Sequence, residues 1–184
     1  MKRQDIPNVI SIFRIIAVLP VVWILLNEWF GVALILFALA GASDGLDGFL
    51  AKHYHWESRL GSILDPLADK LLLVASFASL TWLELIPAWL LWLVLARDVV
   101  IVTGGVLYHY LLGQFKLLPL WSSKINTLLQ LLLVLFIIWQ QYTGAMNDKW
   151  ATFGVSVVAV SVLISGAEYI FVWGRKAWHH NNRV

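Results

Sequence analysis

Four aspartates stand at Asp44, Asp47, Asp65 and Asp69 in a chain that is 60% hydrophobic. Within the first pair the spacing is three residues, within the second it is four, so each pair shares one face of a helix. Two such faces brought together offer oxygen donors only, the ligand set of a hard divalent cation such as Mg²⁺ or Mn²⁺. Arranged around two ions, four carboxylates form the clamp that phosphoryl transfer uses. The plain alternative is a salt-bridge network with Lys52, Arg59 and Lys70. Such a network requires neither matched faces nor the glycines at 45, 48 and 61, which admit a ligand or a second backbone at close range. A carboxylate at the centre of a membrane helix costs about 2.5–3.5 kcal/mol, and less near the interface. Converging carboxylates also repel one another, so something positive must offset them.

The elements that position these residues follow from the apolar runs. Only 13% of the 184 residues are charged and mean hydropathy is +0.79, against about 25% charged in a soluble domain. Eleven tryptophans suit the two interfaces of a bilayer. Apolar segments of spanning length, roughly 20 residues, fall near 7–27, 31–51, 61–83, 86–112, 122–142 and 151–173. Pro7 and Pro87 open the first and fourth of them, where a missing N–H costs little. The expectation is an all-α, integral membrane six-transmembrane-helix bundle, one domain over 1–184. There is no cysteine and hence no disulfide or thiolate site. A net charge of +2 gives no reason to expect nucleic acid.

Loop charge sets orientation. With six spans, Lys2, Arg3, Lys52, Arg59, Lys116, Lys124, Arg175, Lys176 and Arg183 share a side; Lys149 is on the other, with Glu28, Glu84 and Asp148. That bias places both termini and the aspartates at the cytoplasmic face. The basic start could pass for a signal peptide, but its apolar stretch continues past Pro20 to Leu26, longer than such a segment needs. The short basic segment ahead of it suits a bacterial inner membrane better than a mitochondrion. His179 and His180 fall in what reads as a polar tail.

The residues spell Asp44-x2-Asp47-Gly48-x2-Ala51-Lys52-x8-Gly61-x3-Asp65-x3-Asp69. This resembles the signature of the CDP-alcohol phosphatidyltransferases, D-x2-D-G-x2-A-R-x8-G-x3-D-x3-D. Lys52 stands where the family has arginine, which keeps the charge and loses the bidentate fork. The resemblance implies transfer of a phosphatidyl group from CDP-diacylglycerol to an alcohol, with release of CMP. It implies two Mg²⁺ or Mn²⁺ ions on Asp44, Asp47, Asp65 and Asp69, with Asp69 also acting as general base. It further implies that Asn8, Gly48, Ala51, Lys52, Gly61 and Ser62 contact CDP-diacylglycerol, and that the protein is a homodimer among membrane lipids.

Two charged spots remain. Arg97-Asp98 lies within the fourth span and Lys124 begins the fifth. Arg97 and Lys124 form a candidate pocket for the acceptor phosphate; the alternative is a pair that ties helices together. Arg14 in the first span either helps the diphosphate or snorkels to the interface. The stretches "LDPLADK", "ARDVV" and "SKINTLLQ" are most similar to the cardiolipin-forming branch, which uses phosphatidylglycerol. Next comes the branch that uses glycerol 3-phosphate, whose members usually carry a second arginine two turns after the first in the fourth span; Gly104 and Gly105 lie in that region here. A small membrane ion transporter is the reading from a different class. A conduction path needs polar groups across the whole bilayer, whereas these carboxylates gather at one side.

Overall fold

The computed structural model describes the backbone over 6–40, 61–112, 121–145 and 148–181, and side chains over 12–40, 66–105, 121–145 and 148–172. Every regular element among these residues is a helix. They are α1 (Ile6–Leu26), α2 (described over Phe30–Ala40), α3 (Gly61–Trp82), α4 (Ala88–Leu112), α5 (Trp121–Thr143) and α6 (Asp148–Asn181). Three of them are long and apolar enough to cross a membrane, over Ala88–Gly105, Trp121–Thr143 and Asp148–Val172. The remaining part of the second expected span, 41–51, lies outside the described residues. The polar tail expected from Arg175 is instead helical: α6 continues to Asn181. Arg175, Lys176 and Ala177 are strong helix formers, and their propensity carries the helix past its apolar stretch.

The chain forms two compact units. The first comprises 1–86 and 134–147, the second 87–133 and 148–184. In the first, α1 packs on α3. Val21 and Leu25 of α1 and Ala68, Leu73, Phe77 and Leu80 of α3 are buried. Ala68 has no bulk, so the two backbones can come close. Ser76 and Ser79 are buried too, and each hydroxyl donates to the carbonyl one turn back, Leu72 and Ala75, at 2.8 Å. That satisfies them where no water is available. In the second unit α4 packs on α6, burying Leu90 and Val94 with Val155, Val158 and Val162. Gly154 accepts the Leu133 side chain; a Cβ there would sit 2.9 Å from its Cδ1.

The ends of α1 and α3 close in the same way. Trp29 N–H donates to the Ile24 carbonyl at 3.1 Å and Glu28 N–H to Leu25 at 2.9 Å; Leu85 donates to Leu80 at 2.9 Å and Glu84 to Thr81 at 3.0 Å. This paired pattern satisfies the last carbonyls and requires a left-handed residue. Glu28 and Glu84 fill that position, each at φ 60°, where glycine is the usual choice.

The outside of both units is apolar. Leu19 is 75% exposed, Phe171 70% and Trp82 81%. Side chains of this size pointing outward along helices of spanning length have lipid as their solvent.

Candidate active site

In α3, Asp65 and Asp69 are one turn apart with Pro66 between them. Proline lacks an N–H, so the Ser62 carbonyl receives no bond from it, and the helix is loosened between the two carboxylates. Asp69 is half-buried and meets Arg14 of α1, whose Nη1 donates to Asp69 Oδ1. The Arg14 side chain is 3% exposed and the Asp69 side chain 44%. A buried cation therefore backs a carboxylate that is itself partly exposed. Arg14 does not snorkel: it is enclosed between α1 and α3. An arginine within an apolar span needs a partner inside the protein; that signal could have suggested a pairing the sequence reading did not make, though not Asp69, 55 residues away.

Beside this pair is a cleft of about 270 Å³ lined by Phe13, Arg14, Ala17, Leu39, Leu72 and others. Among the described residues, Arg14 is the one charged residue on its wall. Pro20, inside α1, also lines it.

Of the other residues singled out in the sequence, Asn8, Gly61 and Ser62 lie in helices, with side chains outside the described residues. Asp44, Asp47, Gly48, Ala51 and Lys52 lie outside the described residues altogether. Among the described residues no group of three or more His, Cys, Asp or Glu comes together; the side chains of Asp44, Asp47 and Asp65 lie outside the described residues. The donor that is described, Asp69, fits a hard divalent ion: it offers only oxygens and is partly exposed.

In the second unit Arg97 of α4 is buried. Its Nη1 donates to Asp98 Oδ1 at 3.0 Å, and its Nη2 to Ser123 of α5 at 2.7 Å and Ser165 of α6 at 2.6 Å. Its guanidinium carbon lies over the Tyr169 ring, 5.8 Å from the centre. Arg97 thus joins three helices, using the planar fork that lysine lacks. Lys124, the other cation of the expected acceptor pocket, is exposed, its Nζ 5.1 Å from the centre of the Trp121 ring. Deeper along α5, Asn126 accepts a hydrogen bond from Ser161 of α6 at 2.8 Å. Ser123, Ser165, Asn126 and Gln130 were not singled out in the sequence; their spacing along apolar helices is the signal that would have found them.

Apolar helices facing lipid, with a buried arginine on an accessible carboxylate, define an integral membrane protein with an acidic polar site. The chain belongs to the CDP-alcohol phosphatidyltransferase family, whose profile matches residues 4–174. It is 40% identical over 146 residues to the CMP-forming cardiolipin synthase of Rattus norvegicus, covering 70% of this chain and 48% of that protein. It is 40% identical over 112 residues to the CMP-forming cardiolipin synthase of Streptomyces coelicolor, covering 57% and 52%. With the CDP-diacylglycerol–glycerol-3-phosphate 3-phosphatidyltransferase of Escherichia coli it shares 29% over 179 residues, 90% of this chain and 93% of that one. The chain spans about half the length of the two synthases it matches.

Proposed function

We propose that this chain transfers a phosphatidyl group from CDP-diacylglycerol to an alcohol and releases CMP. Family membership across nearly the whole chain, with all four aspartates at the family's spacing, is the observation that carries the reading. The acceptor hydroxyl oxygen attacks the phosphorus that bears diacylglycerol, and the bond from that phosphorus to the CMP oxygen breaks. Asp69 takes the hydroxyl proton, a role that needs a carboxylate within hydrogen-bond reach of the acceptor's hydroxyl. Arg14 holds the opposite side of that carboxylate and fixes its orientation. Asp44, Asp47, Asp65 and Asp69 would hold two Mg²⁺ or Mn²⁺ ions, which when bound neutralise the diphosphate and the departing CMP. Asn8, Gly48, Ala51, Lys52, Gly61 and Ser62 contact the donor. Six spans, cytoplasmic termini and carboxylates, a bacterial inner membrane and a homodimer complete the reading; the loop charges support the orientation.

Phosphatidylglycerol is the first acceptor, giving cardiolipin. Arg97 supports it: Asp98 beside it already balances its charge, and Gly104 and Gly105 occupy the region where a second cation would serve a phosphate dianion. Glycerol 3-phosphate is the second, favoured by the near full-length match to a relative named for that acceptor. Lys124 and Arg97 would face the acceptor's phosphate in either case. Purified protein supplied with CDP-diacylglycerol and each acceptor in turn tests the ranking. Cardiolipin from phosphatidylglycerol, with no product from glycerol 3-phosphate, is expected; product from glycerol 3-phosphate alone reverses the order.

A further inference from the structure

The second unit holds buried polar atoms that have no hydrogen-bond partner among the described residues. Asn126 and Gln130 of α5 are both fully buried, at 0% exposure. They are four residues apart and share a helix face. Ser161 Oγ lies 2.8 Å from both Asn126 Oδ1 and the Val158 carbonyl and has one proton to donate between them, while Asn126 Nδ2 and both amide atoms of Gln130 have no hydrogen-bond partner among the described residues. The buried Arg97 Nε has none either. These atoms continue the polar row that starts where Arg97 meets Ser123 and Ser165. Ser161 is one turn from Ser165 on α6, and Gln130 is about 10 Å along α5 from Ser123 at 1.5 Å per residue.

Each buried polar group without a partner costs about 1–3 kcal/mol, and native interiors keep few of them unless water or a ligand completes the bonding. The chemistry of the free atoms selects what can complete it. Asn126 Nδ2 and Gln130 Nε2 need acceptors; Gln130 Oε1 needs a donor. An anion only accepts and leaves Gln130 Oε1 unserved. A cation leaves both amide nitrogens unserved, and an apolar group serves none. A hydroxyl both donates and accepts.

We propose that Asn126 and Gln130 form a seat for hydroxyl groups inside the second unit, filled by the glycerol hydroxyls of the acceptor or by ordered water. The acceptor arm rests on the phosphatidyl-transfer reading; the water arm does not. Gln130 is then a specificity-determining residue, because an acceptor whose hydroxyl sits there is distinguished from an alcohol that lacks one.

Two measurements decide. The first is density for the full chain, alone and with glycerol 3-phosphate or phosphatidylglycerol added. An oxygen within hydrogen-bond distance of the Gln130 amide in the chain alone supports ordered water, and glycerol density there on addition supports the acceptor. An empty seat under both conditions overturns the proposal. The second is Gln130→Met, which keeps the length and removes both free atoms. An acceptor KM raised about tenfold, the equivalent of one bond at 1.4 kcal/mol per decade, with the CDP-diacylglycerol KM unchanged, assigns the seat to the acceptor. An unchanged KM with a lower Tm assigns it to water. An unchanged KM with a higher Tm shows a dry amide replaced by a better apolar side chain, and overturns the proposal. If Gln130→Met does not fold, the density decides. If the wild type transfers nothing, the phosphatidyl-transfer reading fails, while density and Tm still test the seat.

Discussion

Replacing Arg14 by methionine is the perturbation whose size the structure constrains best. The substitution removes the buried cation that Asp69 meets and keeps much of the side-chain volume against the α1–α3 core. Breaking a fully buried ion pair costs about 3–5 kcal/mol, because the survivor is left charged and dry. An exposed pair is worth about 0–1 kcal/mol. Here Arg14 is buried and Asp69 is 44% exposed, so water takes over part of what the guanidinium supplied. A hydrogen bond to a charged group, about 1.5–3 kcal/mol, is the matching scale, and about 2 kcal/mol is expected. For a chain of this size that lowers Tm by about 4–8 °C. The assay is thermal unfolding in detergent of wild type, Arg14→Met, Asp69→Asn and the double variant. The double variant is expected to lose less than the sum of the single losses, since the two residues share one interaction. Arg14→Met is also expected to slow CMP release, because it frees the Asp69 carboxylate to rotate. Additive losses, or a Tm and rate equal to wild type, would refute the pairing as a support of Asp69.

Four other outcomes follow from the same structure. Asp69→Asn retains the fold and loses CMP release by about 10²–10⁴, the usual contribution of a general base; measured turnover near wild type would remove that role. Glu28→Gly and Glu84→Gly each relieve a left-handed residue at φ 60°, and each is expected to add about 1 kcal/mol, read as a rise in Tm. Ser165→Ala removes one of the Arg97 hydrogen bonds, 2.6 Å long, and should lower Tm by several degrees at about 1.5–3 kcal/mol for a charged donor. Chelation of divalent ions is expected to stop turnover, with recovery on adding Mg²⁺ or Mn²⁺ and none on adding Na⁺.

Helix positions were legible because apolar runs and their punctuation are local. Pro7 and Pro87, and the break around Gly144, mark ends that the structure places within a few residues of expectation. The end of α6 was not legible from hydropathy, since Arg175 and Lys176 end the apolar run yet favour a helix, as does Ala177. The aspartates stand out by spacing alone, because a helix turns intervals of three and four into shared faces; of the four, Asp69 is the one whose side chain is among the described residues. The meeting of Arg14 and Asp69 was not: it depends on how α1 packs on α3, across 55 residues of sequence. Arg97 was read either as a tie between helices or as part of an anion pocket. Its bonds to Ser123 and Ser165 join three helices, which a place beside an acceptor phosphate does not exclude; serines carry no charge and drew no notice. Asn126 and Gln130 were passed over for a related reason. A polar residue every turn on an apolar helix is weak in sequence and costly in structure only once its burial is known.

The central claim is that the phosphorus bearing diacylglycerol moves to a new oxygen while CMP leaves. CDP-diacylglycerol labelled at that phosphorus, incubated with the protein, a divalent ion and phosphatidylglycerol or glycerol 3-phosphate, tests it most directly. All label is expected in the lipid product, with unlabelled CMP released in equal amount. Label appearing in the nucleotide, or no acceptor-dependent lipid at all, would contradict the account.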